Sequence, residues 1–346
     1  MSKSLFRRVT RPAAIAMIAA TVTATTVLFG GAASAAPDSG NGSTPSVSDA
    51  ARAKIAELAA KNRKANKGAK ARMASDNLAF GDVTGDGIGD LGAVDNTGRL
   101  YIYPGTGYVY PGTGTRSKAV FGGRINLGRG WDQFTTIVKH GDWNNDGKPD
   151  VLARNTAGAL FFYEGTGTTA VLKPGKQVGR SWQSFKSILG TGDFNSDGLD
   201  DLIAQKTNGE LLLYRGTGNG LNPLAGSPAV IGTSWRGGLL TAVGDLTEDG
   251  RTELFYRDTA GGMWLYPSRD GSSPIDAGEK VSFGDWSGVN QLAAVGNVYS
   301  DAGYDPLYPD LLIQWQNTLE VYAFDTADDP YEDFFLGRGW DALYVF

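Results

Sequence analysis

Cysteine is absent from this chain, and histidine occurs once, at His140. The first absence excludes a disulfide framework and thiol catalysis. The second leaves histidine-centred zinc sites short of ligands. Any Ser-His-Asp arrangement would have to use His140, and no serine sits in a nucleophile-elbow context. Helix formers are scarce after residue 75, and no apolar run beyond the first thirty residues is long enough to span a bilayer. Glycine, by contrast, is abundant at 49 of 346 residues, which suits short strands and tight turns.

The N-terminus reads as an export signal over residues 1–35. Lys3, Arg7, Arg8 and Arg11 form a basic start, Ala13 to Phe29 an apolar stretch, and Ala33-Ser34-Ala35 a small-residue cleavage site. The general secretory route fits better than the twin-arginine route, because the residues around Arg7-Arg8 fit the latter poorly. A secreted, extracellular protein is expected, with cell-wall association as a variant and no membrane span after cleavage. Residues 36–46 have the composition of a flexible linker. Residues 47–75 are rich in alanine, lysine and arginine, with Ser48 as N-cap, and are expected to be helical.

Charge is divided unevenly. The first 79 residues hold 12 of the 32 basic residues and 4 of the 37 acidic ones, so the remainder has 20 basic and 33 acidic residues, a net of −13. An acidic body argues against nucleic acid as a partner. It is consistent with carboxylates that serve cations.

Those carboxylates are periodic. Asp82-Val-Thr84-Gly-Asp86-Gly-Ile-Gly-Asp90 recurs as Asp142-Trp-Asn144-Asn-Asp146-Gly-Lys-Pro-Asp150 and as Asp193-Phe-Asn195-Ser-Asp197-Gly-Leu-Asp-Asp201. A fourth copy keeps oxygen at the same positions through Asp245, Thr247, Asp249 and Glu253. Side-chain oxygens at loop positions 1, 3, 5 and 9 suit one hard cation. The competing reading is that aspartate, asparagine and glycine only build turns. The fifth copy decays: Asn297-Val-Tyr299-Ser-Asp301 loses the first charge, and an insertion separates it from Asp310. Three good sites, one weaker site and one lost site are expected.

The repeat measures about 50 residues. Trp131, Trp182, Trp235, Trp286 and Trp340 are separated by 51, 53, 51 and 54 residues. The loop-opening residues are separated by 60, 51, 52 and 52, and the long step has a visible cause: Tyr103-Pro-Gly-Thr-Gly107 is repeated at once as Tyr110-Pro-Gly-Thr-Gly114. Each unit reads as four short strands, of which the first holds the tryptophan (Gly128 to Ile137 in one copy) and the fourth lies around Ala170 to Gln177. Such units are the signature of propeller blades. An all-β, five-bladed β-propeller with four-stranded antiparallel blades is expected over residues 76–346. The C-terminal strand around Trp340 supplies what the first blade lacks.

The loops, with Gly-Asp before and Asp-Leu or Asp-Val after, resemble the FG-GAP/VCBS repeats of secreted bacterial proteins. The resemblance implies calcium at these loops, with carbonyl donors from residues 88, 148, 199 and 251. The Gly-X-X-Trp-X-X-Phe strands, such as Gly179-Arg-Ser-Trp182-Gln-Ser-Phe185, with the Leu-Tyr-X-Gly-Thr-Gly segments, resemble tachylectin-like lectins. That likeness implies five blades and sugar sites between them. The five tryptophans then either pack neighbouring sheets together or line ligand grooves. A non-catalytic, monomeric recognition module for a glycan or cell-surface polymer is expected. The alternatives are a protein-interaction scaffold of the integrin type and, behind it, a polysaccharide hydrolase or lyase.

Overall fold

The computed structural model describes residues 57, 80–110, 120–168, 171–269, 275–281, 286–301, 309–315, 318–322, 334–338 and 344–346. Of the expected signal, linker and basic helix, only Glu57 falls within these, as a helical residue.

Five four-stranded antiparallel sheets form the blades. From the ring axis outward, blade one is built from Tyr344–Val345, Leu91–Val94, Arg99–Tyr103 and Ile125–Arg129. Blade two follows with Phe134–Val138, Val151–Asn155, Leu160–Tyr163 and Lys176–Gly179. Blade three uses Phe185–Gly192, Asp201–Lys206, Leu211–Tyr214 and Ala229–Gly232. Blade four uses Leu239–Ala242, Leu254–Arg257, Met263–Tyr266 and Glu279–Lys280. Blade five uses Val289–Ala294, Leu311–Trp315, Thr318–Tyr322 and Phe334–Arg338.

The ring closes as the sequence suggests. Tyr344–Val345 pairs antiparallel with Leu91–Val94, with Val345 opposite Ala93, and Phe346 and Gly92 exchange backbone hydrogen bonds of 2.9 and 3.0 Å. Closure removes the exposed edges that an open array would present.

Each blade is buried on both faces, which is why its middle strands read as continuous apolar runs. Leu202, Ile203 and Ala204 are fully buried, as are Leu312 and Ile313. The protein accordingly has five cores, one at each blade junction. Between blades one and two, for example, Leu100 and Ile102 meet Ile137, Val151 and Ala153.

The tryptophan segment differs from expectation. Gly128 to Ile137 is not one strand. Ile125–Arg129 closes blade one, Trp131 lies in the crossing, and Phe134–Val138 opens blade two. The physical reason is the turn between them, where Gly128 and Gly130 both adopt positive φ (95° and 99°). The fourth strand of blade two is likewise shorter and later than expected, at Lys176–Gly179.

The crossing acts as a latch between blades. The backbone N–H of Trp131 donates to Gly98 O at 3.0 Å, in the hairpin turn of the preceding blade. Trp182 does the same to Gly158 O, Trp235 to Gly209 O and Trp286 to Gly261 O, at 2.9 to 3.0 Å. Polar side chains one strand away hold the same crossings. Arg154 donates to the carbonyls of Trp182 and Phe185, and Gln205 Nε2 donates to Trp235 O at 2.6 Å.

Among the described strands, one pairing lies outside the blades. Tyr108–Tyr110 runs parallel to Tyr299–Asp301, joining the extra segment of blade one to the loop of blade five.

Candidate metal centres and inter-blade grooves

In blades two to four the carboxylate loop connects the innermost strand to the next one, and in blade one it leads into the corresponding second strand, Leu91–Val94, so the four loops sit on one face of the ring. Their first aspartate is a hub for backbone donors. Asp82 accepts from the N–H groups of Gly85, Asp86 and Gly87 at 2.7, 3.2 and 2.7 Å. Asp142 accepts from Asp146 and Gly147, Asp193 from Asp197 and Gly198, and Asp245 from Asp249 and Gly250, all at 2.7 to 3.0 Å.

The last acid of the loop lies deepest. Asp90, Asp150, Asp201 and Glu253 are all fully buried. Each accepts from the backbone N–H of position 3: Thr84, Asn144, Asn195 and Thr247 at 2.9 to 3.2 Å. The side chains of those four residues also bond to the same acid. In three blades the last aspartate takes a further donor from the Gly-Thr-Gly turn: Gly105, Gly165 or Gly216, at 2.8 to 3.2 Å. That explains the glycine, since a Cβ on Gly165 would stand 1.8 Å from Pro149 O.

Such donors lower a carboxylate's pKa, but burial outweighs them. Burial pushes Asp90, Asp150, Asp201 and Asp245 up to about 7, helped by neighbouring loop acids. Glu253 is likewise raised well above the usual carboxylate range, by burial first and then by Asp245 and Asp249. The folded loops therefore concentrate negative charge that Lys148 at Asp146, Arg251 at Asp249 and Lys139 near Asp90 offset only in part.

A cation would offset it, and the donor set fits a hard one. In blades one and four, carboxylate oxygens of Asp82, Asp86 and Asp90, and of Asp245, Asp249 and Glu253, all lie within 4.8 Å of one another. Two oxygens that share an ion at 2.3–2.6 Å cannot be more than about 5 Å apart. The corresponding acids of blades two and three are not gathered so closely, and Asp146 lies 3.9 Å from Lys148. In blade four, read from the sequence as the weaker copy, the glutamate is long enough to bond Leu246 N and Thr247 N at once, at 2.6 and 2.9 Å. In blade five Asn297 and Asp310 are buried, and Asp310 accepts from Val298 N at 2.8 Å.

The tryptophans are mostly packed away. Trp131, Trp182 and Trp235 are each only 8 % exposed, and Trp286 is fully buried and offers no face to a ligand. Trp340 lies outside the described residues. Trp131 stacks obliquely on Tyr163 at 4.8 Å, Trp182 on Tyr214 at 4.8 Å, and Trp235 on Tyr266 at 4.3 Å. These are wedges that fill the blade junctions, and such aromatic pairs are worth about 0.5–1.5 kcal/mol each beyond buried area. Between blades one and two the wedge also forms the floor of a groove of about 620 Å³. Half-buried Phe134 and Tyr163 line it with the polar Asn126, Arg129, Gln133 and Lys173. The fixed tryptophan spacing pointed to this junction, but the surface on offer belongs mainly to its neighbours.

Residues 142–204 and 193–256 match the model of an FG-GAP-like repeat. No curated protein matches the chain. Among solved structures, a lectin of Agrocybe aegerita, described in its recognition of non-reducing terminal N-acetylglucosamine, is 12 % identical with a TM-score of 0.42, covering 76 % of this chain and 83 % of that one. The BP39L lectin from Burkholderia pseudomallei is 15 % identical with a TM-score of 0.40, covering 70 % and 68 % respectively.

Proposed function

From a five-bladed propeller that carries FG-GAP-like repeats, we propose a calcium-stiffened, non-catalytic recognition module that binds glycan at the blade junctions. The observation that carries the reading is the groove between blades one and two, where Phe134 and Tyr163 stand beside Asn126, Arg129 and Gln133. An aromatic surface suits the C–H face of a pyranose, and the amides and guanidinium suit its hydroxyls. A single groove of this kind binds weakly. Related junctions on one rigid ring would act together on a repetitive polymer through effective concentration.

Calcium has a structural part in this reading. A catalytic ion needs an open position with a poised base beside it, whereas these loops turn their oxygens inward and tie them to their own backbone. Asp82, Thr84, Asp86 and Asp90 would hold one ion, and Asp245, Thr247, Asp249 and Glu253 another. Asp142, Asn144, Asp146 and Asp150, with Asp193, Asn195, Asp197 and Asp201, would close on theirs as the ion arrives. Export through the N-terminal signal would place the module where millimolar calcium and surface polymers meet.

A glycan array run on wild type and on Tyr163→Ala, each with calcium and with chelator, tests the reading. Binding to a subset of glycans, lost or weakened at least tenfold in the variant, is expected. Silence across a broad array would sink it.

A further inference from the structure

The innermost strands of the five blades enclose a cavity of about 260 Å³ on the ring axis. Its wall is largely apolar, with Ile137, Val138, Leu240, Leu292 and Phe346 among the contributors. Among the described residues that line it, the charged side chains are Lys139 and Lys186, joined by His140, and none is an aspartate or glutamate. That is the reverse of the body as a whole, which carries a net of −13 after residue 79.

Lys139 is the anomaly. The other four copies place Ala79, Gly190, Ala242 and Ala294 at its position. The lysine is 1 % exposed, and its Nζ donates to Ala294 O at 3.2 Å and lies 3.0 Å from His140 Nε2. The His140 ring is stacked on Phe80 at 4.1 Å, which fixes its direction. An ammonium has three donors, and these contacts use two of them. Among the described residues no carboxylate comes within ion-pair distance of this nitrogen, although Asp90 and Asp82 act on it from farther off. A buried ammonium without a close counter-ion is costly, and burial accordingly depresses Lys139 to about 7.

We infer that the axial cavity binds a small monocarboxylate with an apolar body, whose charge is met by Lys139 and whose body packs on the inner-strand side chains. The inference is independent of the glycan reading, because that groove lies at a blade junction and this cavity on the axis. Lys186 stands at the opposite end, where its Nζ already donates to Gly238 O, so it is not the anchoring charge.

Benzoate, benzamide and benzylamine form a probe series of one shape and three charges. With the whole protein in calcium-containing buffer, calorimetry is expected to show benzoate binding at least tenfold tighter than either of the others. Lys139→Met should abolish that preference, while Lys186→Met keeps it. Retained calcium-dependent melting would show that each variant is folded. Equal binding of the three probes to wild type, or none, overturns the inference without recourse to any variant. Benzoate binding that survives Lys139→Met overturns it as well, and Lys139 would then serve only the carboxylates of blade one.

Discussion

The loop of blade five and the loops of blades one to four solve one problem in two ways. A tight turn at the ring face leaves backbone donors that need partners. In the first four blades, carboxylates supply them: Asp82 alone takes three N–H groups, and the buried last acid takes the donor of position 3. In blade five, Asn297 replaces the hub, and Tyr299–Asp301 becomes a strand that pairs in parallel with Tyr108–Tyr110. Backbone pairing has taken over where side-chain oxygens were lost. The first solution builds up charge and invites a cation, whereas the second does not. Blade five thus builds its turn without the first acid of the other four loops.

Removing calcium should break the comparison most strongly. A site filled to 100 times its Kd contributes about 2.7 kcal/mol, so chelation is expected to lower Tm by several degrees as the first four loops loosen. Hydrogen exchange would locate the effect: amides 82–90 and 245–253 should lose protection, while those of 299–301 keep theirs. Equal loss in all five blades would remove the distinction.

Single substitutions sharpen it. Asp90→Asn and Glu253→Gln should each remove a calcium-dependent increment of about 1–3 kcal/mol, measured as the difference between melts in calcium and in chelator. Asp310→Asn keeps an acceptor for Val298 N, and its cost should be the same in both buffers. An Asp310 variant that shifts the calcium dependence would show that blade five also holds an ion.

The smallest effect is one of pH. Asp90, Asp150, Asp201 and Asp245 are raised to about 7 by burial, well above the usual carboxylate range near 4. Groups whose folded pKa is raised favour the folded state when protonated, so their contribution is full below about pH 4 and lost as pH rises through 7. In chelator, Tm should therefore fall between pH 5 and 8. Calcium binds the ionised form, so its stabilisation should grow over the same range. A flat profile in chelator would mean that the loop acids are solvated rather than buried.

Much of this was legible before any coordinates. Oxygen at positions 1, 3, 5 and 9 could be counted, and the 51-to-54-residue spacing of tryptophan gave the blade number. Other features could be seen but not interpreted. The duplicated Tyr-Pro-Gly-Thr-Gly and the insertion after Asp301 are both plain in the sequence, yet nothing local says that the flanking segments pair. The tryptophan spacing marks the blade junctions, whereas how much of each ring stays open depends on the blade next door. Lys139 carried a faint signal, as one lysine among alanine and glycine at its repeat position, and only the ring showed what it faces.

The division has a physical cause. Strand period, turn chemistry and loop oxygens act over a few residues and recur from copy to copy, so the sequence by itself determined the blade, the number of blades and the carboxylate loops. Ring closure brings residues into contact that are more than 150 positions apart, as where Lys139 meets Ala294 O. Which rings were buried, where a groove remained open and what lined the axis were decided only there, by the packing of each blade against its neighbours.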